Sequence, residues 1–227
     1  MRLLWGLVLL LAFVPQMVGD GYGTIPPAQG RILVIGDSLT SGLYADGEAD
    51  SFAALVAAGL GMRLARIHAT RLENAAEAWK TYRDWRPDVV VLEIGLNDVS
   101  GGVWAAESWR GAYLALVREI EASGAKVVAC TTFWGGIREM HRNYQIYQQL
   151  NGDIRSVASE RGVALADLWA ATNGCEDCVS RSGDVSNWPP FHGDNFHPNS
   201  LGHQRIAQTI LDALKGDRVY FPVVAGG

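Results

Sequence analysis

Short apolar, β-branched runs that alternate with longer helical patterns constrain this chain more than any other feature. Four such runs and a weaker fifth read "RILVIG", "MRLARI", "DVVVLEIG", "KVVACTTF" and "GVALADL". Between and after them lie "DSFAALVAAGLG", "RLENAAEAWKTYRDW", "AAESWRGAYLALVREIEASG", "NYQIYQQLNGDIRSVASERG" and "SLGHQRIAQTILDALKG", several of them closed by Gly, a common helix C-cap. This rhythm predicts a parallel sheet covered by helices on both faces. It runs unbroken through residues 30–216, with no internal repeat and no low-complexity linker, so one domain is expected there. The last residues, 217–227, fall outside the rhythm and read as an extra edge segment or a loose tail.

With 227 residues, 48% of them hydrophobic and only 19% charged, the chain can bury a substantial core, which excludes disorder. The formal net charge is −5, and no run of Lys or Arg offers to neutralise a phosphate backbone; nucleic acid is not expected as a partner. Residues 1–23, "MRLLWGLVLLLAFVPQMVGDGYG", carry one Arg, an apolar stretch short for a bilayer span, and then Pro and small residues. They read as a secretory signal with no clean cleavage site, or as an N-terminal anchor, and membrane attachment is expected only if they stay uncleaved. A secreted, periplasmic or extracellular protein, acting as a monomer, is the expectation.

Export predicts an oxidising environment, and the three cysteines are read in that light. Cys175 and Cys178 in "NGCEDCVS" form a local disulfide in this reading. The alternatives are a redox-active pair or half a zinc site with His192 or His203, although no second Cys pair completes a metal tetrahedron. No metal is expected. Cys130 is a small buried hydrophobe in a strand.

Two segments are too long and too rich in Gly or Pro for ordinary connections: "WGGIREMHRN" at 134–143, and residues 171–199, which include "NWPPFHGDNFHPN". In open α/β sheets ligands bind beyond the carboxyl ends of the strands, and long loops there carry function. On that rim "GDSLTSG" follows the first strand, "GLND" follows the third, and "DNFH" closes the second long loop. Each stretch alone suits a turn or a helix cap. Together they supply what acyl transfer requires: a hydroxyl nucleophile, an imidazole, a carboxylate to hold its tautomer, and donors for an oxyanion.

These stretches make the chain resemble the SGNH hydrolases, also called GDSL esterases and lipases. "GDSL" at 36–39, "GLND" at 95–98 and "DNFH" at 194–197 match three of that family's four blocks in family order. The resemblance implies a flavodoxin-like three-layer α/β/α sandwich with a five-stranded parallel sheet. It implies Ser38 as nucleophile, His197 as general base and acid, and Asp194 as the residue orienting His197. The oxyanion hole would come from the Ser38 N–H, the Asn97 side-chain amide and a third donor at Ala69. Here the chain departs from the pattern, because the second block should bring a Gly and "RIHATRLEN" contains none. A backbone N–H survives that change, which puts geometry in question more than identity. No nucleotide, flavin or other cofactor is implied.

The expected activity is hydrolysis of carboxylic esters through an acyl-enzyme on Ser38. The rivals are an O-acyltransferase on the same fold and a non-catalytic glycan-binding module. The rim segments mix polar, charged and small residues, which fits short-chain or O-acetyl esters of carbohydrates or small molecules better than a long acyl trough. Asp37, Trp134 and Trp188 are candidate substrate contacts; the two tryptophans either stack on a sugar face or pack their loops against the core.

Overall fold

The computed structural model describes residues 30–102, 104–134, 143–181 and 194–216. The leader at 1–23, the tail at 217–227, Trp188, residues 135–142 of the first long loop and residues 182–193 of the second lie outside the described residues.

Five strands form one wholly parallel sheet: β1 (Arg31–Gly36), β2 (Arg63–His68), β3 (Val89–Glu93), β4 (Lys126–Cys130) and β5 (Ala164–Ala166). Their spatial order is β2-β1-β3-β4-β5. The chain thus steps from β1 to one side and then returns past it, so the order reverses between β1 and β3. That reversal opens a crevice at the carboxyl ends of the two strands, the place where open α/β sheets hold ligands. The register sets Gly36, the last residue of β1, between His68 and Glu93.

The strands obey the burial logic of a parallel sheet. β1 is buried from Ile32 onward and β3 throughout, because helices cover both faces and no alternation with polar residues is needed. β2 stands at an edge and carries its charges there; Arg66 is turned to an ion pair with Glu48 at 2.9 Å.

The helices, taken in chain order, are α1 (Phe52–Leu60), α2 (Leu72–Tyr82), α3 (Leu96–Ser100), α4 (Ala106–Ala122), α5 (Tyr144–Arg161), α6 (Leu168–Thr172) and α7 (Ser200–Gly216). Ser51 caps α1 by accepting from the Ala54 N–H, and Gly61 and Gly162 end α1 and α5 in the left-handed conformation. α7 is capped by Asn199, whose side-chain oxygen accepts from the Gly202 N–H, whereas the Ser200 hydroxyl accepts from Asp46. The two five-residue helices, α3 and α6, are too short to show a helical period in sequence.

α1 and α7 pack closely, Gly59 lying so near Leu211 that a Cβ there would meet its methyl at 2.9 Å. His203 of α7 ties this pair to the loop after β1. It is fully buried; its Nδ1 accepts from the Phe52 N–H and its Nε2 donates to the Leu43 carbonyl. Burial, followed by the nearby charges of His197 and Arg66, pushes its pKa down to about 4 despite the Leu43 hydrogen bond. His203 is therefore a neutral structural pin that fastens α7 to the connection between β1 and α1.

Candidate active site

The turn after β1 is built from tight packing. A Cβ on Gly36 would lie 2.2 Å from the Thr40 hydroxyl and 2.4 Å from the Glu93 carbonyl oxygen, so only glycine lets the chain pass. Leu39 is buried below the turn, and Ser38 remains partly open above it. Among the described residues nothing accepts from the Ser38 N–H.

The segment at 194–199 reaches Ser38 because the disulfide loop holds it. Cys175 and Cys178 are bonded, and Val179 pairs with Pro198 in an antiparallel bridge. The Ser180 N–H donates to the His197 carbonyl at 2.9 Å and the Asn195 N–H to the Ser180 carbonyl at 2.8 Å. Gly202 fits against the Cys178 carbonyl, where a Cβ would clash at 2.3 Å.

So held, His197 lies with Nε2 2.8 Å from Ser38 Oγ and Nδ1 2.5 Å from Asp194 Oδ2. The other Asp194 oxygen accepts from the N–H groups of Phe196 and His197 and from the Ser180 hydroxyl. Burial alone would raise this carboxyl; the His197 and Phe196 hydrogen bonds outweigh it and hold Asp194 below the usual carboxylate range. An ionised Asp194 on Nδ1 fixes the tautomer that leaves Nε2 free to accept from the serine.

Asn97 follows β3 in α3. Its Nδ2 donates to Asp37 at 3.2 Å and its Oδ1 accepts from Ser100, so the amide is oriented from both ends with one N–H left over. Its neighbour Asp98 caps α2 by accepting from the Leu72 N–H.

The surroundings of three further sequence candidates are as follows in the structure. The Ala69 N–H donates to the Gly36 carbonyl at 2.6 Å, because the β1–β2 ladder continues one residue beyond β2, so it is engaged by the sheet. Asp37 is fully buried and accepts from Leu39 N–H as well as Asn97, so it holds protein groups and not substrate. Trp134 is 4% exposed, stacked on Trp169 at 4.4 Å, with its N–H bonded to Thr172; it packs the core and offers no open face to a sugar.

Sequence reasoning missed three participants. Ser180 steadies Asp194 from across the disulfide loop. Glu93 lies buried beneath the turn, within reach of Asp37 and the Thr40 hydroxyl. Tyr44 tilts its ring against His197 at 5.7 Å with its hydroxyl toward Asp194, from a left-handed backbone (φ 64°) that is rare for an aromatic residue. The signal for Ser180 and Tyr44 exists only in space, since their partners are distant in sequence. Glu93 was visible as a charge ending an apolar strand.

The solved structures this chain resembles have the same architecture. A variant of the acetyl xylan esterase Axe2 from Geobacillus stearothermophilus superposes with a TM-score of 0.65 at 21% identity, over 84% of this chain and 97% of that one. An alpha/beta hydrolase enzyme from the metagenome of Lake Arreo, Spain, does so with 0.65 at 21% identity, over 85% and 98%. A curated relative, a multidomain esterase of Ruminococcus flavefaciens, is 25% identical over 141 residues, which is 59% of this chain but only 16% of that much longer protein. The sequence also matches the model of the GDSL-like Lipase/Acylhydrolase family over residues 34–205, a span that begins inside β1 and ends in α7, and by that match the chain belongs to this family.

Proposed function

We propose that this chain hydrolyses carboxylic esters, and O-acetyl esters of carbohydrates or small molecules in particular, through an acyl-enzyme on Ser38. The observation that carries this reading is the continuous relay from Ser38 Oγ through His197 to Asp194, at 2.8 and 2.5 Å. In the first half-reaction Ser38 Oγ attacks the ester carbonyl carbon and His197 Nε2 takes its proton. The carbonyl oxygen, now an alkoxide, is met by the Ser38 N–H and the remaining Asn97 N–H. Collapse expels the alcohol, which receives the proton from His197. Water then attacks the acyl-serine, gives a proton to His197 and releases the acid, and that proton returns to Ser38.

The chemistry of the acyl group is read from the rim and from relatives. The acetyl xylan esterases resembled by the fold are named for removing small acyl groups from a polysaccharide. Small and polar residues of the rim, Ser41 and Thr70 with His68 hydrogen-bonded between them, suit a hydrophilic leaving group. Export, supported by the leader-like residues 1–23 and by the disulfide, would bring the enzyme to such substrates.

The test is a chain-length series of p-nitrophenyl esters together with acetylated xylo-oligosaccharides, on wild type and Ser38→Ala. Turnover is expected to be highest for acetyl esters and to fall steeply toward long-chain ones. Ser38→Ala should abolish it without shifting the unfolding midpoint. A maximum at long acyl chains would overturn the O-acetyl reading, and an active alanine variant would overturn the mechanism.

A further inference from the structure

Two carboxyl groups lie side by side beneath the nucleophile, and the relay just described uses neither. Asp37 is fully buried and Glu93 is 2% exposed, on adjacent strand ends. Around Asp37 stand the Leu39 N–H, the Asn97 amide and, as the nearest cations when protonated, His197 and His68. Around Glu93 stand the backbone N–H of Asp37, the Thr40 hydroxyl, 3.4 Å away, and the neutral Cys130 thiol. Asp37 thus holds two N–H donors and faces both imidazoles, whereas Glu93 holds one backbone N–H, that of Asp37, and one long hydroxyl contact.

Two adjacent carboxylates out of contact with water cannot both be ionised, so one proton stays with the pair. Asp37 already accepts two N–H groups, which can bond only to its lone pairs. Glu93, held by fewer donors, consequently keeps the proton. We infer that Glu93 is a positioning residue for the oxyanion donor: its carboxyl O–H donates to Asp37, and the Asp37 carboxylate so fixed aims the Asn97 amide. Burial first, and the charge of Asp37 second, push the Glu93 carboxyl well above the ordinary range, in agreement with this placement. Glu93 touches no reacting atom; it acts through Asp37 on Asn97.

The inference rests on the esterase reading for its kinetic consequence, but the proton can be observed without substrate. Infrared difference spectra of wild type minus Glu93→Gln at neutral pH should show the C=O stretch of a protonated carboxylic acid, present only in wild type. Its absence, or its persistence in the variant, would place the charge on Glu93 and overturn the proposal. In kinetics on p-nitrophenyl acetate, Glu93→Gln keeps a neutral donor toward Asp37 and should hold kcat within about threefold of wild type. Glu93→Leu removes that donor and should lower kcat at least about tenfold with little change in KM, since a misaimed oxyanion donor is felt in the transition state. An unchanged kcat in the leucine variant would overturn the inference, as would a hundredfold loss in the glutamine variant. Should the leucine variant fail to fold, the spectra and the glutamine variant still decide. If wild type hydrolysed no ester at all, the esterase reading would fail while the infrared result still judged the pair.

Discussion

Acid should unfasten the rim of the site by charging His203. This histidine is neutral in the fold, with its pKa pushed down from 6.5 to about 4, while the unfolded chain titrates near the ordinary value. Between those values the unfolded state binds the extra proton, so its contribution to stability is complete above about pH 6.5 and is lost as the pH falls toward 4. The gap, at about 1.4 kcal/mol per pH unit, amounts to about 3 kcal/mol, a sizeable part of a typical domain's stability. Urea unfolding of wild type and His203→Gln between pH 7 and pH 4 would measure it, because glutamine can accept and donate in place of the ring but does not titrate. Carboxylates add their own slopes, Asp194 and Asp167 losing stability in acid and Asp37 and Glu93 gaining it, and subtraction between the two proteins removes them. Wild type is expected to lose about 3 kcal/mol more than the variant over this range, with half of the loss near pH 5. Parallel curves would refute a neutral buried His203.

Asn97→Ala should lower kcat on acetyl esters by about 10²- to 10³-fold with a smaller change in KM, the signature of a donor used in the transition state; an effect confined to KM would reassign Asn97 to substrate binding. Ala69→Gly should leave kcat within about twofold, since its N–H is committed to the Gly36 carbonyl whatever the side chain, and a large gain would show that the site needs a third donor there. Opening the disulfide with the double change of Cys175 and Cys178 to Ser should cost about 2 kcal/mol by loop entropy. Thiol alkylation without reductant should label Cys130 alone, after unfolding.

The fold was readable because burial decides it. A strand covered on both faces must be apolar without interruption, and "ILVI" and "VVVL" announce β1 and β3 before any contact is known. The same logic falters where burial is partial or brief. β2 keeps two arginines because it lies at an edge, and β5 contributes only three residues to the sheet. α3 contains the last three letters of "GLND", which alone suit a turn or a helix cap, since five residues give no period to count. The relay was readable for a different reason: Asp194 and His197 are three apart on one tight turn, and Ser38 lies in the turn directly after β1, so sequence spacing nearly dictates the meeting.

What sequence could not convey is which letters of a motif react and which only hold. In "GDSL" the glycine is there because a Cβ would lie 2.4 Å from the Glu93 carbonyl oxygen, the aspartate to grip Asn97, and the leucine to fill the core; only the serine stands open. In "GLND" the aspartate caps α2 and the asparagine side chain keeps an N–H beyond the one given to Asp37. Reading Asp37 as a substrate contact, and Ala69 as a donor because of its place in the chain, treated every motif letter as chemistry. A buried carboxylate at the end of a strand and an N–H already bonded to the next strand cannot meet a ligand, and both facts are properties of burial and register. The same reasoning removes Trp134, whose aromatic face is covered by Trp169. Among the described motif residues few atoms stand open at the β1–β3 switch point, and the remaining residues preserve their spacing. Substitutions among those supporting residues should consequently weaken kcat and stability together, whereas substitution of Ser38 should remove kcat alone.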